Sequence, residues 1–508
     1  MPEPEVGIRK WIITLTLVFA TLMQLIDVTV VNVAMPHIMG NLGVSFDNIG
    51  WVVTAYTIGI IIVLPISGWL GKLIGRKRYF MLSVVGFTVA SFFCGSATSL
   101  PMLIFFRFIQ GLCGGGMSPT AQAILIESWP KKQLGFAMGM FGMGVVLGPV
   151  IGPVLGGYIT DQFSWRWCFY INIPFSIIAL FMITTFIRKT PKEKHKKVDW
   201  LGLAILTISV ISLQVVLERG EKADWFNAAY IVVFSFVAVL GFISFVWREL
   251  QTDHPVVNLR VFRHRSFTLG SLTRFTFGLG FVAIVFIYPL LFQNLLGFSA
   301  EQTGLVTIPS ALATIVMMPF VGKLVNKKIP TQLVTCTGIL FFLAFCYLMQ
   351  KTTLAYGMES FIPPLILRGI GMSLLFVPIS TMSVQDLEGD EIGEGTGIGT
   401  MVRQIGGALG IALVTTFVDH RFEFHRTILG QNINNYNPAF LNQLKGMTAH
   451  FIASGETQHV AHQMAQKAIQ GGLLQQSYLM SYTDVFWIVG IFFLILIPLL
   501  LAQKFKGD

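Results

Sequence analysis

Charged side chains are what this sequence has least of. Asp, Glu, Lys and Arg make up 12% of its 508 residues, about half the share of a soluble domain. With 54% hydrophobic residues and a mean hydropathy of +0.70, the chain cannot hide its apolar surface from water by folding on itself, which excludes a soluble globular class. Cysteine is also scarce. Cys94, Cys113, Cys168, Cys336 and Cys346 all fall in apolar runs without a CxxC pair, so neither a disulfide framework nor a thiolate metal site is expected. His459 and His462 have helical ligand spacing but no Cys or acidic companions, and no metal is expected there either. There is no GxxxxGK[ST], and GTGIG at 395–399 opens an apolar run rather than following a strand, so no nucleotide loop is present. No cluster of Asp or His residues gathers near one end of the apolar runs, as an enzyme would need, and no catalytic residues or cofactors are expected.

What is present is a succession of apolar runs, each long enough to cross a hydrocarbon layer as a helix. They predict an all-α integral membrane protein with fourteen spans: 12–35, 50–71, 79–99, 102–126, 135–159, 165–187, 200–218, 226–247, 267–292, 301–322, 332–350, 359–384, 395–417 and 482–503. The first run, Trp11 to Met35, is too long for a signal-peptide core and lacks a small-residue cleavage site, so it reads as a retained span. An even number of spans puts both termini on one side. That side holds Arg9, Lys10 and the basic loops KLIGRKR (72–78), PKK (130–132), RKTPKEKHKK (188–197), RVFRHR (260–265) and KLVNKK (323–328). The net charge of +10 would suggest nucleic acid in a soluble protein. Here it predicts cytoplasmic termini, because basic residues concentrate in cytoplasmic loops, and no nucleic-acid partner is expected. The polar segment 418–481 then lies outside, where LNQL, AHFIA and VAHQMAQKAI are compatible with two short amphipathic helices.

An internal repeat organises the spans. PHIMGNLGVSFDNIG (36–50) parallels PLLFQNLLGFSAEQTG (289–304), pairing Pro36 with Pro289, Asn41 with Asn294, Ser45 with Ser299 and Gly50 with Gly304. Further on, Pro65 aligns with Pro319, Gly68 with Gly322 and Arg107 with Arg368. The expected organisation is a six-helix bundle at 1–190, two inserted spans within 191–265, and a second six-helix bundle at 266–508 that includes the outer loop. Parallel six-span repeats with a binding site near the midplane are an architecture of alternating-access transporters.

Four signatures carry a resemblance. LIDVTVVNVAMP (25–36) looks like the LDxTVVNVALP motif, placing Asp27 and Asn32 at its polar positions. GWLGKLIGRKR (68–78) resembles the loop signature GxLaDrxGrrr through Gly68, Gly75, Arg76 and Lys77, with Lys72 at the usual acidic position. LIFFRFIQG (103–111) matches LxxxRxxQG through Arg107, Gln110 and Gly111, and GVVLGPVIGPVLGG (144–157) matches GxxxGPxxGG. SWRWCFYINIP (164–174) adds a sixth-span entry. The chain resembles the fourteen-span drug:proton antiporters of the major facilitator superfamily, of the EmrB/QacA type and nearer EmrB.

The resemblance implies the major-facilitator fold and proton-coupled multidrug efflux from the bacterial cytoplasmic membrane, with the proton gradient as energy source. It implies as partners the bilayer, small hydrophobic substrates, a periplasmic adaptor of the EmrA type and an outer-membrane channel of the TolC type. Export of a single metabolite, siderophore or fatty acid is the alternative. Because Lys72 departs from the pattern, the usual charge relay of that loop is in question.

Each polar feature has two readings. A carboxylate deep in a span is costly; burial disfavours its charge and a nearby cation favours it, so Asp27 suits a proton carrier, against a packing residue bonded to Thr29 or Asn32. Arg107, always charged, either tunes that site or anchors helices. Arg368 and Arg403 are further cavity candidates, Arg274 is expected to snorkel to the interface, and Glu218 with Arg219 reads as a solvated cap pair. Asn32, Tyr56, Phe277, Phe281 and Tyr288 are candidate cavity residues, against lipid-facing or packing roles. Gly144, Gly148, Gly152 and Gly156 make a stripe without side chains, an interface in lipid, and Pro149 and Pro153 favour a bend. Together they predict a moving seam between the halves. The outer segment either docks the adaptor or caps the outer mouth.

Overall fold

In the computed structural model, residues 7–44, 46–188, 199–252, 255, 257–326, 329–384, 386–387, 391–434 and 436–501 are described. Ser45, most of the 188–197 loop, Lys327, Lys328 and the basic tail lie outside them. Among the described residues, fourteen helices are long and apolar enough to span a membrane, each overlapping its predicted run. They are α1 (Arg9–Leu42), α2 (Trp51–Ile74), α3 (Arg76–Gly95), α4 (Leu100–Ser128), α5 (Leu134–Gln162), α6 (Trp167–Phe186), α7 (Trp200–Arg219), α8 (Ala229–Gln251), α9 (Arg265–Leu295), α10 (Glu301–Val325), α11 (Thr331–Gln350), α12 (Met358–Met382), α13 (Glu391–Gly430) and α15 (Gln458–Leu500). Between the last two lies α14 (Pro438–Ala453).

The helix starts are written locally. Pro stands in the first turn of α4, α12 and α14, where its missing N–H costs nothing. Asn437 caps α14 by accepting from the Ala439 N–H at 3.0 Å. Asp199 caps α7, accepting from the Gly202 N–H at 3.0 Å, and also receives a two-pronged bond from Arg248 at the end of α8. The Arg248 guanidinium holds the Asp199 carboxyl below the usual carboxylate range, although burial opposes it. This pair clasps α7 to α8 on the side of the chain termini.

Within the first six spans α1 packs on α5 and α2 on α4; within the last six α9 packs on α13, and α12 on both α10 and α11. The two sets meet where α5 lies against α10 and α2 against α13. Glycine makes those meetings close. A Cβ on Gly68 would fall 2.7 Å from the Glu394 backbone nitrogen, and one on Gly322 would fall 2.5 Å from the Gly135 oxygen. Without water, dispersion contacts and small residues are what hold such helices together.

The inserted α7 leans on α2. At the far side from the termini, the Glu218 carboxylate accepts from the Thr54 hydroxyl, and the Arg219 guanidinium lies 4.9 Å from the centre of the Trp51 ring. The expected solvated cap pair is therefore a docking contact between the inserted helices and the first bundle.

The outer segment differs from expectation too. Instead of two short helices it contains one, α14. Residues 418–430 continue α13, a helix of 40 residues, and residues 458–481 begin α15, a helix of 43 residues. Both run unbroken, the second straight through Gly471 and Gly472. The extensions are joined by Arg421 and His425, which both reach Asp484 Oδ2, at 2.6 and 2.8 Å, and by Phe422 stacked on Tyr478 with ring centres 4.1 Å apart. Leu444 of α14 buries itself with Ala465 and Ile469.

Candidate functional site

Two constellations of polar side chains lie inside the apolar bulk. The first is in the first bundle, around Asp27 of α1, which is fully buried. Arg107 of α4 donates through Nη1 to Asp27 Oδ2 at 2.7 Å, and Gln110, one turn on, donates to Oδ1 at 3.0 Å. Asn172 of α6 donates to the same Oδ1 at 2.6 Å and to Ser91 Oγ of α3 at 2.9 Å. The carboxylate thus ties α1, α3, α4 and α6 together, and three donors offset the desolvation that an isolated charge would suffer.

The arginine is itself held from several sides. Its Nη1 reaches Gln110 Oε1 at 2.8 Å, Nε reaches the Val52 oxygen at 3.3 Å, and its centre lies 4.3 Å from the Tyr56 ring centre. Nη2 has no hydrogen-bond partner among the described residues. Gly111 permits this, since a Cβ there would strike the Tyr56 backbone oxygen. Asn32 is exposed, and the Thr29 hydroxyl bonds the backbone of Leu25, Ile26 and Gly148, so Asp27 is partnered by other helices, not by neighbours on its own.

The second constellation lines a small cavity between the bundles, bounded by α4, α5, α9, α12 and α13. Arg274 and Arg403 both line it, with Phe277 and Phe376. Arg274 is only 5% exposed and donates through Nη2 to the Ser380 oxygen at 3.2 Å. It therefore does not snorkel to the interface. Its side chain crosses α13 at Gly399, where a Cβ would collide with Nη1, and so enters the interior. Phe281 stacks on Phe277 with ring centres 5.7 Å apart and packs beside the cavity. Arg368 lies elsewhere in the second bundle, donating to Ser310 Oγ at 3.1 Å with its centre 5.1 Å from the Tyr288 ring. Tyr56 and Tyr288 are buried against arginines.

The loop signature forms a third locus, at the terminal side. Gly75 adopts φ 91°, the left-handed region open to glycine. Arg76 pairs with Glu127, and Lys77 donates to the Thr184 and Ile187 oxygens at 2.7 and 2.5 Å. Lys72 pairs at 2.6 Å with Glu394 of α13, which also accepts from Asn258 at 2.9 Å. Lys72, in the last turn of α2, is thus compensated by an acid on the facing helix α13.

The glycine stripe sits on a different face from the one expected. A Cβ on Gly144 would fall 2.6 Å from Val18 Cγ1, one on Gly148 2.5 Å from Leu25 Cβ, and one on Gly156 3.1 Å from the Val30 backbone, while Gly152 faces Thr29. All four belong to α1. The stripe therefore mates α5 with the helix carrying Asp27, inside one bundle. The contact with the other bundle uses Gly135, Gly139 and Gly142, against Gly322 and Met318. Pro149 and Pro153 lie inside α5, which continues through both.

Asn172, Arg274 and Glu394 were missed as site residues. Asn172 left a signal, an amide at the start of an apolar span where no cap needs it. Glu394 stands one turn into α13 with no sequence mark of its partner.

Residues 17–411 match the family profile of the Major Facilitator Superfamily. The chain is 33% identical over 509 residues to the multidrug export protein EmrB of Escherichia coli (strain K12), covering 99% of this chain and 97% of that protein. It is 28% identical to the fatty acid resistance protein FarB of Neisseria gonorrhoeae, covering 97% and 96%. Among solved structures it is similar to the human organic anion transporter MFSD10 (TETRAN), with TM-score 0.60 and 13% identity over 95% of this chain and 99% of that one. It is equally similar to the proton:xylose symporter XylE, with TM-score 0.60 and 14% identity over 96% of each. At these identities the two structures speak to fold alone. The all-helical architecture, the fourteen spans and the match over most of its length place this chain in the Major Facilitator Superfamily, in the fourteen-span branch of EmrB-type proteins.

Proposed function

We propose that the protein is a proton-coupled efflux antiporter that exports hydrophobic or amphipathic toxic compounds across the bacterial cytoplasmic membrane by alternating access. The observation that carries this is Asp27, buried and held by Arg107, Gln110 and Asn172. A proton on that carboxyl removes the charge that Arg107 faces, and the guanidinium, which stays charged, must then find other acceptors. Such a change acts on α1, α3, α4 and α6 together. Because Gly148 and Gly152 press α5 onto α1, it also reaches the helix that contacts the other bundle.

The basic residues of the terminal side support a reading with both termini in the cytoplasm. Energy comes from the proton gradient, with no cofactor. The extensions of α13 and α15, capped by α14, stand on the outer side, where a periplasmic adaptor of the EmrA type would dock and lead to a TolC-type channel.

The deciding experiment is substrate-induced proton movement in proteoliposomes. Wild-type protein should move protons when substrate is supplied, and Asp27→Asn should lose that movement. Equal coupled flux in the two would overturn Asp27 as the proton site.

A further inference from the structure

We propose that the cavity between the bundles is an anion site, in which Arg274 and Arg403 hold the acidic head of an amphipathic substrate while Phe141, Phe277 and Phe376 hold its apolar part. This rests on the transport reading above and names its substrate class. The cavity lining contains two arginines and no Asp or Glu. No carboxylate forms an ion pair with either arginine among the described residues, and Arg274, 5% exposed, has only the Ser380 carbonyl from its own bundle. Arg107 shows what this protein does with an arginine that is to be neutral in sum, giving it a carboxylate at 2.7 Å. The cavity pair lacks that provision.

The geometry concentrates the charge. Gly399 and Arg403 are four residues apart on α13, hence on one face. Arg274 crosses at Gly399, so its head lies one turn from the Arg403 backbone. A Cβ at Gly278 would in turn fall 3.0 Å from Arg403 Cγ, so α9 and α13 each use a glycine to admit the other's arginine. Two guanidiniums in a low-dielectric space repel a cation and attract an anion far more strongly than in water, and their planar donors suit a carboxylate or sulfonate. Around them, Phe277 meets Phe376 edge to face with ring centres 6.3 Å apart, an apolar wall for a chain or ring.

The test is binding, which needs no transport. Full-length protein in nanodiscs is equilibrated with radiolabelled decanoate, empty nanodiscs being subtracted, and the label is competed with decyl sulfonate or decyltrimethylammonium, equal chains of opposite and permanent charge. The sulfonate should compete at least about tenfold better. Arg274→Gln and Arg403→Gln should each shrink that ratio several-fold, Arg403→Lys should keep most of it, and Gln122→Glu, which adds a carboxylate to the lining, should collapse it without removing an arginine. Competition by the cation equal to that by the sulfonate overturns the proposal, as does an unchanged ratio in a folded Gln or Glu variant. Proton movement lost with anion preference intact would instead strike the antiport reading alone.

Discussion

The two bundles repeat one another in sequence and differ in how each treats its fourth-helix arginine. In the first, Arg107 faces Asp27 and lies over Tyr56. In the second, the offset that pairs Pro36 with Pro289 puts Gly280 where Asp27 would be, and the Phe493 ring of α15 fills the space, 2.4 Å or more from where a Cβ would stand only by excluding one. Ser310, in the register of Tyr56, gives Arg368 a hydroxyl instead of a carboxylate. One bundle contains a buried charge pair, Asp27 with Arg107. The other accumulates unpaired positive charge, at Arg368 and at the cavity pair. A duplicated frame has been divided into a half whose buried arginine meets a carboxylate and a half whose buried arginines meet none among the described residues.

The largest effect that would sharpen this contrast is on stability. Arg107→Ala leaves Asp27 buried without its cation and should cost about 3–5 kcal/mol, whereas Arg368→Ala removes a hydrogen bond to a hydroxyl and should cost about 1 kcal/mol. Thermal unfolding in detergent compares them, and equal losses would break the asymmetry. Next comes Gly148→Leu. Its side chain has no room against Leu25, so α1 and α5 must separate; overpacking costs about 1–3 kcal/mol, and export should be lost while the protein still inserts. Full resistance in a host carrying that variant would show that the α1–α5 contact does not matter for coupling. The smallest effect concerns the terminal-side latch. Lys72→Glu and Glu394→Lys should each slow transport, and the double exchange should restore most of it, a coupling of about 0.5–3 kcal/mol for two residues in direct contact. No recovery in the double variant would detach the latch from the cycle.

How much of this was legible in the sequence follows from what a span reveals. Apolar length marks a membrane helix by itself, so the fourteen spans were readable. A buried Asp and Arg stand out against an apolar run, so Asp27 and Arg107 were readable too, as was a dependence of one on the other. Azimuth was not. Arg274 lies near enough to the start of α9 that length alone suggested snorkelling, and only Gly399 on another helix reveals the inward path. The stripe from Gly144 to Gly156 announces a close contact without naming the partner, because any backbone fits a smooth face. Lys72 broke a familiar pattern, and its compensation at Glu394 lay more than 300 residues away. Polar residues 418–481 concealed their continuity with the spans, since an exposed helix carries no apolar signal once it leaves the lipid.

That continuity makes α13 a lever. Its 40 residues span about 60 Å, roughly twice the hydrocarbon thickness, and no loop divides the part beside the cavity from the part outside. A tilt of about 10° displaces the tip of a roughly 20 Å overhang by roughly 3.5 Å. Arg403 and the distal end at Gly430 are points on the same rigid arm, so a displacement of one is geometrically a displacement of the other.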